Sequence, residues 1–130
     1  MIPLGIFLRL TVQACEEEFR PVAFLSLLKH PLTCLGEDGF LVRKAAREYE
    51  KKVLRSGKED ETLTAFVLRF KEAMRDLAEA LRQPAVDFKN LLALHIKTAE
   101  VLAAVPEKDG AQVLWKGDAG EAAAAFIADL

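Results

Sequence analysis

The sequence predicts an all-α fold, a compact bundle of five to six helices in one domain spanning residues 1–130. Apolar residues make up 52% of the chain, and alanine and leucine supply them more than β-branched residues do. Such unbranched side chains lose little rotamer freedom in a helix. A chain of 130 residues can also remove about two-thirds of its unfolded surface from water, so a single core is sufficient.

The first two helices are delimited by charge and by proline. The first is predicted from Leu4 to about Glu18, because its apolar residues recur three and four positions apart until the charged EEEFR segment. Pro21 suits the first turn of the second helix, where its missing N–H is not needed. Pro31 disfavours the α conformation of the residue before it, so this helix is predicted to end at Lys29 or His30. LTCLG is then expected to form a short turn of helix.

Two longer helices follow. Asp38 is predicted to cap the third helix, which ends at Ser56-Gly57. Its apolar stripe consists of Val42, Ala45, Ala46, Tyr49 and Val53. Thr62 is predicted to open the fourth helix, which ends near Gln83-Pro84. Its apolar face consists of Leu63, Phe66, Val67, Phe70, Met74, Leu77 and Leu81.

The remaining segments predict a fifth helix and a last one. The fifth stops at Val105-Pro106, and the VLW segment after it is short enough to be strand or turn. The inner face of the fifth helix carries Phe88, Leu91, Leu92, His95, Ala99 and Leu102. Asp118 is predicted to cap a last helix through Leu130, with Glu121 three residues on as in a capping box. The residues expected to be buried are Phe66, Phe70, Met74, Leu77, Phe88 and Leu92.

No catalytic motif is visible in the sequence. The phosphate-binding patterns GxxxxGK[ST] and GxGxxG are both missing, which excludes a self-contained ATPase. Ser26, Cys15 and Cys34 lack a neighbouring base that could activate them. We therefore predict no catalytic residue, no cofactor site and no metal site in this chain.

The remaining titratable residues have structural interpretations. Cys15 and Cys34 lack CxxC spacing, so we expect both to be reduced and buried. His30 is interpreted as a helix terminator whose imidazole can meet the last carbonyls, and His95 as a hydrogen-bonded core histidine. The run Glu16-Glu17-Glu18 is interpreted as a solvated helix end, because consecutive side chains on a helix diverge by about 100°.

The overall charge and hydropathy limit the partners of the chain. A net charge of -2 gives no general attraction to nucleic acid or to anionic membranes. The N-terminal MIPLGIFLRL lacks a cationic lead-in and a cleavage site, and no apolar run approaches the roughly 20 residues that span a bilayer. These features predict a cytoplasmic protein that contacts no membrane. The apolar start and the uncapped AAAAFIADL end indicate a piece of a longer protein.

Positive residues are regularly spaced along the third predicted helix. Four positive residues of the third helix are spaced by four and a fifth lies beside them, opposite the apolar stripe: Arg43, Lys44, Arg47, Lys51 and Arg55. Such a ridge could follow a nucleic-acid backbone, since phosphate contacts need cations at regular intervals and no base readout. Glu48 and Glu50 flank the ridge, and such a pattern is more often an ordinary solvated helix face, so both interpretations stay open.

Four segments carry a resemblance to a known family: GIFLRL, RPVAFLSLLKHPLTCLG, VLRSG and LWKGDAGEAAAAFIADL. They resemble the AddB family, the double-strand break repair subunits of the AddAB helicase–nuclease in its alphaproteobacterial form. The LLKHPL block and the LWxGxxGEAAAAF block are the most specific, whereas residues 59–105 match mainly as helical pattern. At VLRSG the family favours LRG followed by prolines, whereas this chain continues with KEDE.

The resemblance implies an internal fragment that looks like the helical 2B insertion of a superfamily 1 helicase. Its parent is expected to be an ATP-dependent helicase and exonuclease whose ATP, Mg and iron–sulfur cluster lie outside this region. Cys15 and Cys34 do not correspond to cluster ligands, and no nuclease carboxylate carries over. The implied partners are an AddA-type subunit and DNA, with no small-molecule substrate. A free-standing helical protein–protein interaction domain is the alternative.

Overall fold

The computed structural model describes residues 4–55 and 60–129. Those residues form seven α-helices and a π-helical turn, so the predicted all-α class is confirmed. The elements are α1 (Leu4–Glu16), α2 (Pro21–Lys29), α3 (Gly39–Tyr49), the π turn (Glu50–Leu54), α4 (Glu61–Leu81), α5 (Phe88–Ala103), α6 (Gly110–Leu114) and α7 (Gly117–Ala128). None of these helices combines the length and apolar character that crossing a bilayer requires.

The boundaries set by the two prolines are confirmed. α2 begins at Pro21 and ends at Lys29, and His30 is already extended before the following proline. α1 ends at Glu16, two residues earlier than predicted, because Glu18 and Phe19 have positive φ angles of 55° and 59°. Such left-handed residues cannot continue a right-handed helix. The LTCLG segment forms turns rather than helix.

Aspartate side chains cap the helices that follow. Asp38 accepts a hydrogen bond from the Phe40 amide at 2.8 Å, which confirms it as the cap of α3. Asp60 accepts from the Leu63 amide at 2.8 Å, so α4 begins at Glu61 rather than at Thr62. The predicted end of the third helix at Ser56-Gly57 lies outside the described residues.

The C-terminal part differs most from the prediction. Asp109 and Gln112 form a reciprocal capping box, which starts α6 where the VLW segment was expected to be strand or turn. α7 begins at Gly117, with Lys116 at its N-cap, so Asp118 lies inside the helix and the predicted cap there was wrong. The side chain of Asp118 lies outside the described residues.

The core is centred on α4, which packs against both α1 and α5. The Phe24 ring meets the rings of Phe19, Tyr49 and Phe70 edge-on, at centroid distances of 6.0, 5.6 and 5.8 Å. Three of the six predicted core residues are buried: Phe70, Met74 and Leu77. Phe66 and Leu92 are half-buried.

Phe88 is the incorrect core assignment. Its side chain is 62% exposed, although it shares the predicted inner face of α5. Phe88 is the first residue of α5 and lies one turn before Leu91, which packs against the core. Helical periodicity identifies the face of a residue, but it does not show how far along the helix the neighbouring elements reach.

α6 lies against α5 through a glycine that admits no side chain. A Cβ atom added to Gly110 would lie 1.5 Å from the carbonyl oxygen of Glu100, so the two helices approach at backbone contact. The Trp115 indole donates a hydrogen bond to the Glu100 carboxylate at 3.0 Å. Glycine at this position is therefore a requirement of the packing.

Candidate functional site

Arg43 reaches across from α3 to the C-terminal end of α2. Its Nη1 donates to the carbonyl oxygens of Leu28, His30 and Thr33 at 2.9, 2.6 and 2.6 Å. Its Nη2 donates to the Pro31 carbonyl at 3.0 Å. The last carbonyls of a helix have no partner within the helix, and here one guanidinium supplies donors to this region. Where the fourfold spacing predicted an exposed ridge, Arg43 is half-buried and serves the fold.

The loop 30–36 ties three helices together. The amides of Cys34 and Leu35 both donate to the Leu102 carbonyl at 2.7 Å, and Gly36 donates to the Ala104 carbonyl at 2.7 Å. These bonds satisfy carbonyls at the C-terminal end of α5. Thr33 Oγ1 donates to the Leu27 carbonyl at 2.6 Å, which closes the loop onto α2. This loop, which includes the end of the LLKHPL block, thus has a structural role in this fold.

His30 terminates α2 but does not meet its last carbonyls through the imidazole, as had been predicted. Its Nδ1 accepts a hydrogen bond from the Leu32 amide at 3.1 Å. Its ring lies 5.3 Å from the Phe7 ring, and the side chain is buried. The carbonyls that were expected to meet the imidazole are met by Arg43 instead.

Four cations of the predicted ridge are exposed, and we call them the cationic row: Lys44, Arg47, Lys51 and Arg55. They follow the outer side of α3 and of the π turn. A π-helical turn closes i→i+5 bonds, so it takes more residues per turn than an α-helix. The fourfold spacing therefore shifts around the axis after Tyr49, and the row is a broad strip rather than a straight ridge.

Two carboxylates near the cationic row, those of Glu50 and Asp60, are engaged by lysines outside the row. Glu50 forms an ion pair with Lys29 at 2.7 Å. The hydrogen bond from Lys29, and then its charge, hold the pKa of Glu50 below its usual value. Asp60 pairs with Lys52, and that hydrogen bond raises the pKa of the lysine. Because Glu50 is compensated by a cation of α2, it offsets the positive row less than the sequence suggests.

The buried thiols and the second histidine agree with their predicted structural roles. Cys15 and Cys34 are both free and buried. Burial raises the pKa of the Cys15 thiol to about 11, which suppresses its reactivity. His95 Nε2 lies 2.9 Å from the Leu8 carbonyl, so it is hydrogen-bonded as predicted, although it is only half-buried. Among the described residues no three or more His, Cys, Asp or Glu side chains are grouped to hold a metal ion.

A second surface feature was not predicted. A groove of about 620 Å³ lies between α3 and α4, and we call it the α3/α4 groove. Its apolar lining comes mainly from Leu41, Ala45, Ala65 and Phe66. The charged residues along it are Lys44, Glu48, Lys52, Asp60 and Arg69. Leu41 could have indicated this groove from the sequence alone, because it is a large apolar residue outside the predicted stripe of the third helix. In the structure its side chain is 52% exposed.

No protein-family model, curated protein or solved structure matches this chain.

Proposed function

We propose that this chain is a non-catalytic helical module of an AddB-type subunit of a DNA double-strand break repair helicase–nuclease. In this proposal the module acts in DNA end processing and homologous recombination, and it faces the DNA through the cationic row. The observation that carries the proposal is that four cations remain exposed along α3 and the π turn that continues it, whereas Arg43 is occupied by the fold. The sequence resemblance supplies the class of parent protein.

The geometry of the row suits contacts with phosphates. An α-helix rises about 1.5 Å per residue, so the residues from Lys44 to Arg55 extend over roughly 16 Å. One strand of duplex DNA carries a phosphate about every 3.4 Å along the axis, so this length faces about four to five phosphates. Such contacts position the duplex without reading its sequence. We therefore expect binding that does not depend on base sequence.

The test uses the natural parent subunit in complex with its AddA-type partner. Glutamine replaces the four residues of the row, and binding to labelled duplexes of unrelated sequence is measured by fluorescence anisotropy. We expect affinity to fall by a similar factor for every duplex. The matched control replaces four exposed lysines elsewhere on the chain, and they are Lys71, Lys89, Lys97 and Lys116.

Both variants lower the net charge by the same amount, so a general charge effect would weaken them equally. The proposal requires a larger loss in the row variant than in the control. Equal losses, or no loss, would contradict it, and so would failure of the parent subunit to assemble with an AddA-type protein.

The chain alone is also expected neither to hydrolyse ATP nor to cut DNA, because its sequence lacks a phosphate-binding loop. ATP hydrolysis or DNA cleavage that persists after the chain is purified again would contradict this expectation.

A free-standing protein-interaction domain remains the second candidate. The α3/α4 groove favours it, because an apolar groove between two helices is a common receptor for an amphipathic helix. An experiment can distinguish protein binding through the groove from DNA binding through the cationic row, because the groove can be blocked without changing a residue of the row.

A further inference from the structure

We propose that Phe40 is a stacking platform for an unpaired DNA base at the end of the cationic row, so that the row holds the phosphates of a duplex and Phe40 takes the first base beyond it. This inference rests on the proposed DNA binding by the row, and it specifies the form of the DNA as a duplex with a single-stranded extension. It follows from an exposed aromatic ring that lies in line with four exposed cations.

Phe40 lies on the same face of α3 as the cationic row. It precedes Lys44 by four residues and Arg47 by seven, and residues at these spacings share one side of an α-helix. The π turn begins only at Glu50, so the register from Phe40 to Arg47 is that of a regular α-helix. The rise from Phe40 to Lys44 is about 6 Å. This face of α3 therefore begins with an aromatic side chain and continues with cations.

The Phe40 side chain is accessible and its backbone is held in place. The side chain is 67% exposed, and it belongs neither to the hydrophobic core nor to the apolar residues packed against that core. Among the described residues no ring–ring contact engages it. Its amide donates to the Asp38 carboxylate at 2.8 Å, which fixes the first turn of the helix. Exposure alone does not identify what covers the ring, so the charges beside it decide between partners.

The charges beside Phe40 favour a polyanion over an apolar partner. In the part of the chain that the structure describes, no ion pair engages the four cations of the row. The acidic residues beside them are placed elsewhere, since Glu48 is half-buried along the α3/α4 groove and Glu50 pairs with Lys29. An apolar protein surface that covered Phe40 and the row together would bury these cations without partners, which is costly. The phosphates of a nucleic acid would neutralise them instead.

An aromatic ring next to phosphate contacts suits an unpaired base. Proteins that bind single strands combine cations along the backbone with aromatic side chains on which bases stack. In the interior of a duplex each base is covered on both faces by its neighbours, so the ring can engage only a base that is unpaired. Every base has a π face, so this contact carries no sequence preference, in agreement with contacts to phosphates alone. Because Phe40 lies one turn beyond Lys44, the unpaired base follows the last paired nucleotide at that end of the row.

The first experiment measures binding of the intact chain to two DNA probes at low salt, where phosphate contacts are strongest. One probe is a blunt duplex, and the other is the same duplex with a short unpaired thymidine extension on one strand, prepared with either polarity. We expect the extended duplex to bind about tenfold more tightly in at least one polarity. Phe40→Ala should abolish this preference and leave the affinity for the blunt duplex unchanged. Phe40→Trp should keep it, because the larger ring also stacks.

The matched control is Phe88→Ala, which removes a phenylalanine of similar exposure, 62%, from another helix and should leave the preference intact. Replacing the four residues of the cationic row by glutamine should weaken binding to both probes. If that row variant binds the blunt duplex as tightly as the wild type, the proposed function itself fails. If the row variant is weaker but the wild type shows no preference, or a preference that survives Phe40→Ala, the role of Phe40 is overturned while the row keeps its function.

The second experiment detects the stacked base. The fluorescent base 2-aminopurine replaces the first unpaired base of the extension, and its emission is quenched when it stacks on an aromatic ring. We expect binding of the wild type, of Phe40→Trp and of Phe88→Ala to reduce the emission, and binding of Phe40→Ala at saturation to leave it unchanged. Equal quenching by the wild type and by Phe40→Ala would show that the base lies against another part of the chain and would overturn the proposal.

Discussion

Replacing Arg43 by glutamine should destabilise the fold more than any other change to an arginine of α3. The guanidinium donates four hydrogen bonds to backbone carbonyls of residues 28–33, all between 2.6 and 3.0 Å. A hydrogen bond from a charged group contributes about 1.5–3 kcal/mol, but three of these bonds share one nitrogen and the side chain is half-buried. In the variant, water can therefore replace some of the hydrogen bonds that the carbonyls lose with the guanidinium. We expect the free energy of unfolding to fall by roughly 3 kcal/mol.

The assay is equilibrium unfolding in urea, followed by circular dichroism and by the fluorescence of Trp115, the single tryptophan of the chain. With a slope of about 2 kcal/mol/M, a loss of 3 kcal/mol lowers the midpoint by roughly 1.5 M. Arg43→Lys keeps the charge but offers one nitrogen, so it should lose part of this amount. Arg47→Gln is the matched control, because this exposed arginine lies one turn further along α3 and should change stability by at most about 0.5 kcal/mol. An Arg43→Gln protein as stable as that control, with an unchanged slope, would refute the role assigned to the guanidinium.

The remaining predictions concern packing, a thiol and an ion pair. Gly110→Ala should cost more than about 2 kcal/mol in urea unfolding, because its Cβ would lie 1.5 Å from the Glu100 carbonyl oxygen. A neutral effect would show that the two helices separate easily. Burial raises the pKa of Cys15 from 9.0 to about 11, so its thiolate fraction near pH 8 falls about a hundredfold, and thiol labelling should be correspondingly slower in the folded chain than in urea. Labelling at the same rate in both states would contradict this. Lys29 lowers the pKa of Glu50 from 4.5, so the stability that the pair contributes is present above pH 4.5 and is lost as the pH falls through the lowered pKa. Glu50→Gln should therefore be less stable than the wild type at pH 7 and closer to it at pH 3, and a gap that widens in acid would reverse the assigned sign.

The sequence was sufficient for features that depend on local stereochemistry. Pro21 and Pro31 fix the ends of α2 through restrictions on their own and their neighbours' backbone. Asp38 caps α3 as its side-chain chemistry predicts. The capping box of Asp109 and Gln112 was also readable from the sequence, and it would have identified α6 in place of a strand or turn.

Features that depend on tertiary neighbours could not be predicted in this way. The fourfold spacing assigned Arg43 to an exposed ridge, since nothing in the spacing shows that the C-terminal end of α2 lies within reach of that side chain. The π turn after Tyr49 likewise changes the register of the cations that follow. The α3/α4 groove arises because two helices leave a space between them, and each contributes small residues such as Ala45 and Ala65 to its lining. None of these features is a property of one helix.

The salt dependence of DNA binding tests the proposed role of the cationic row most directly. Each phosphate contact contributes about 0.9 to the slope of log affinity against log salt concentration on duplex DNA, and about 0.7 on single strands. The measurement compares the proposed parent helicase–nuclease complex with its variant in which Lys44, Arg47, Lys51 and Arg55 are all glutamine. If all four residues contact phosphates, the slope on duplex DNA should decrease in magnitude by about 3.6 in the variant. A slope equal to that of the wild-type complex, with unchanged affinity, would show that the row is an ordinary solvated helix face.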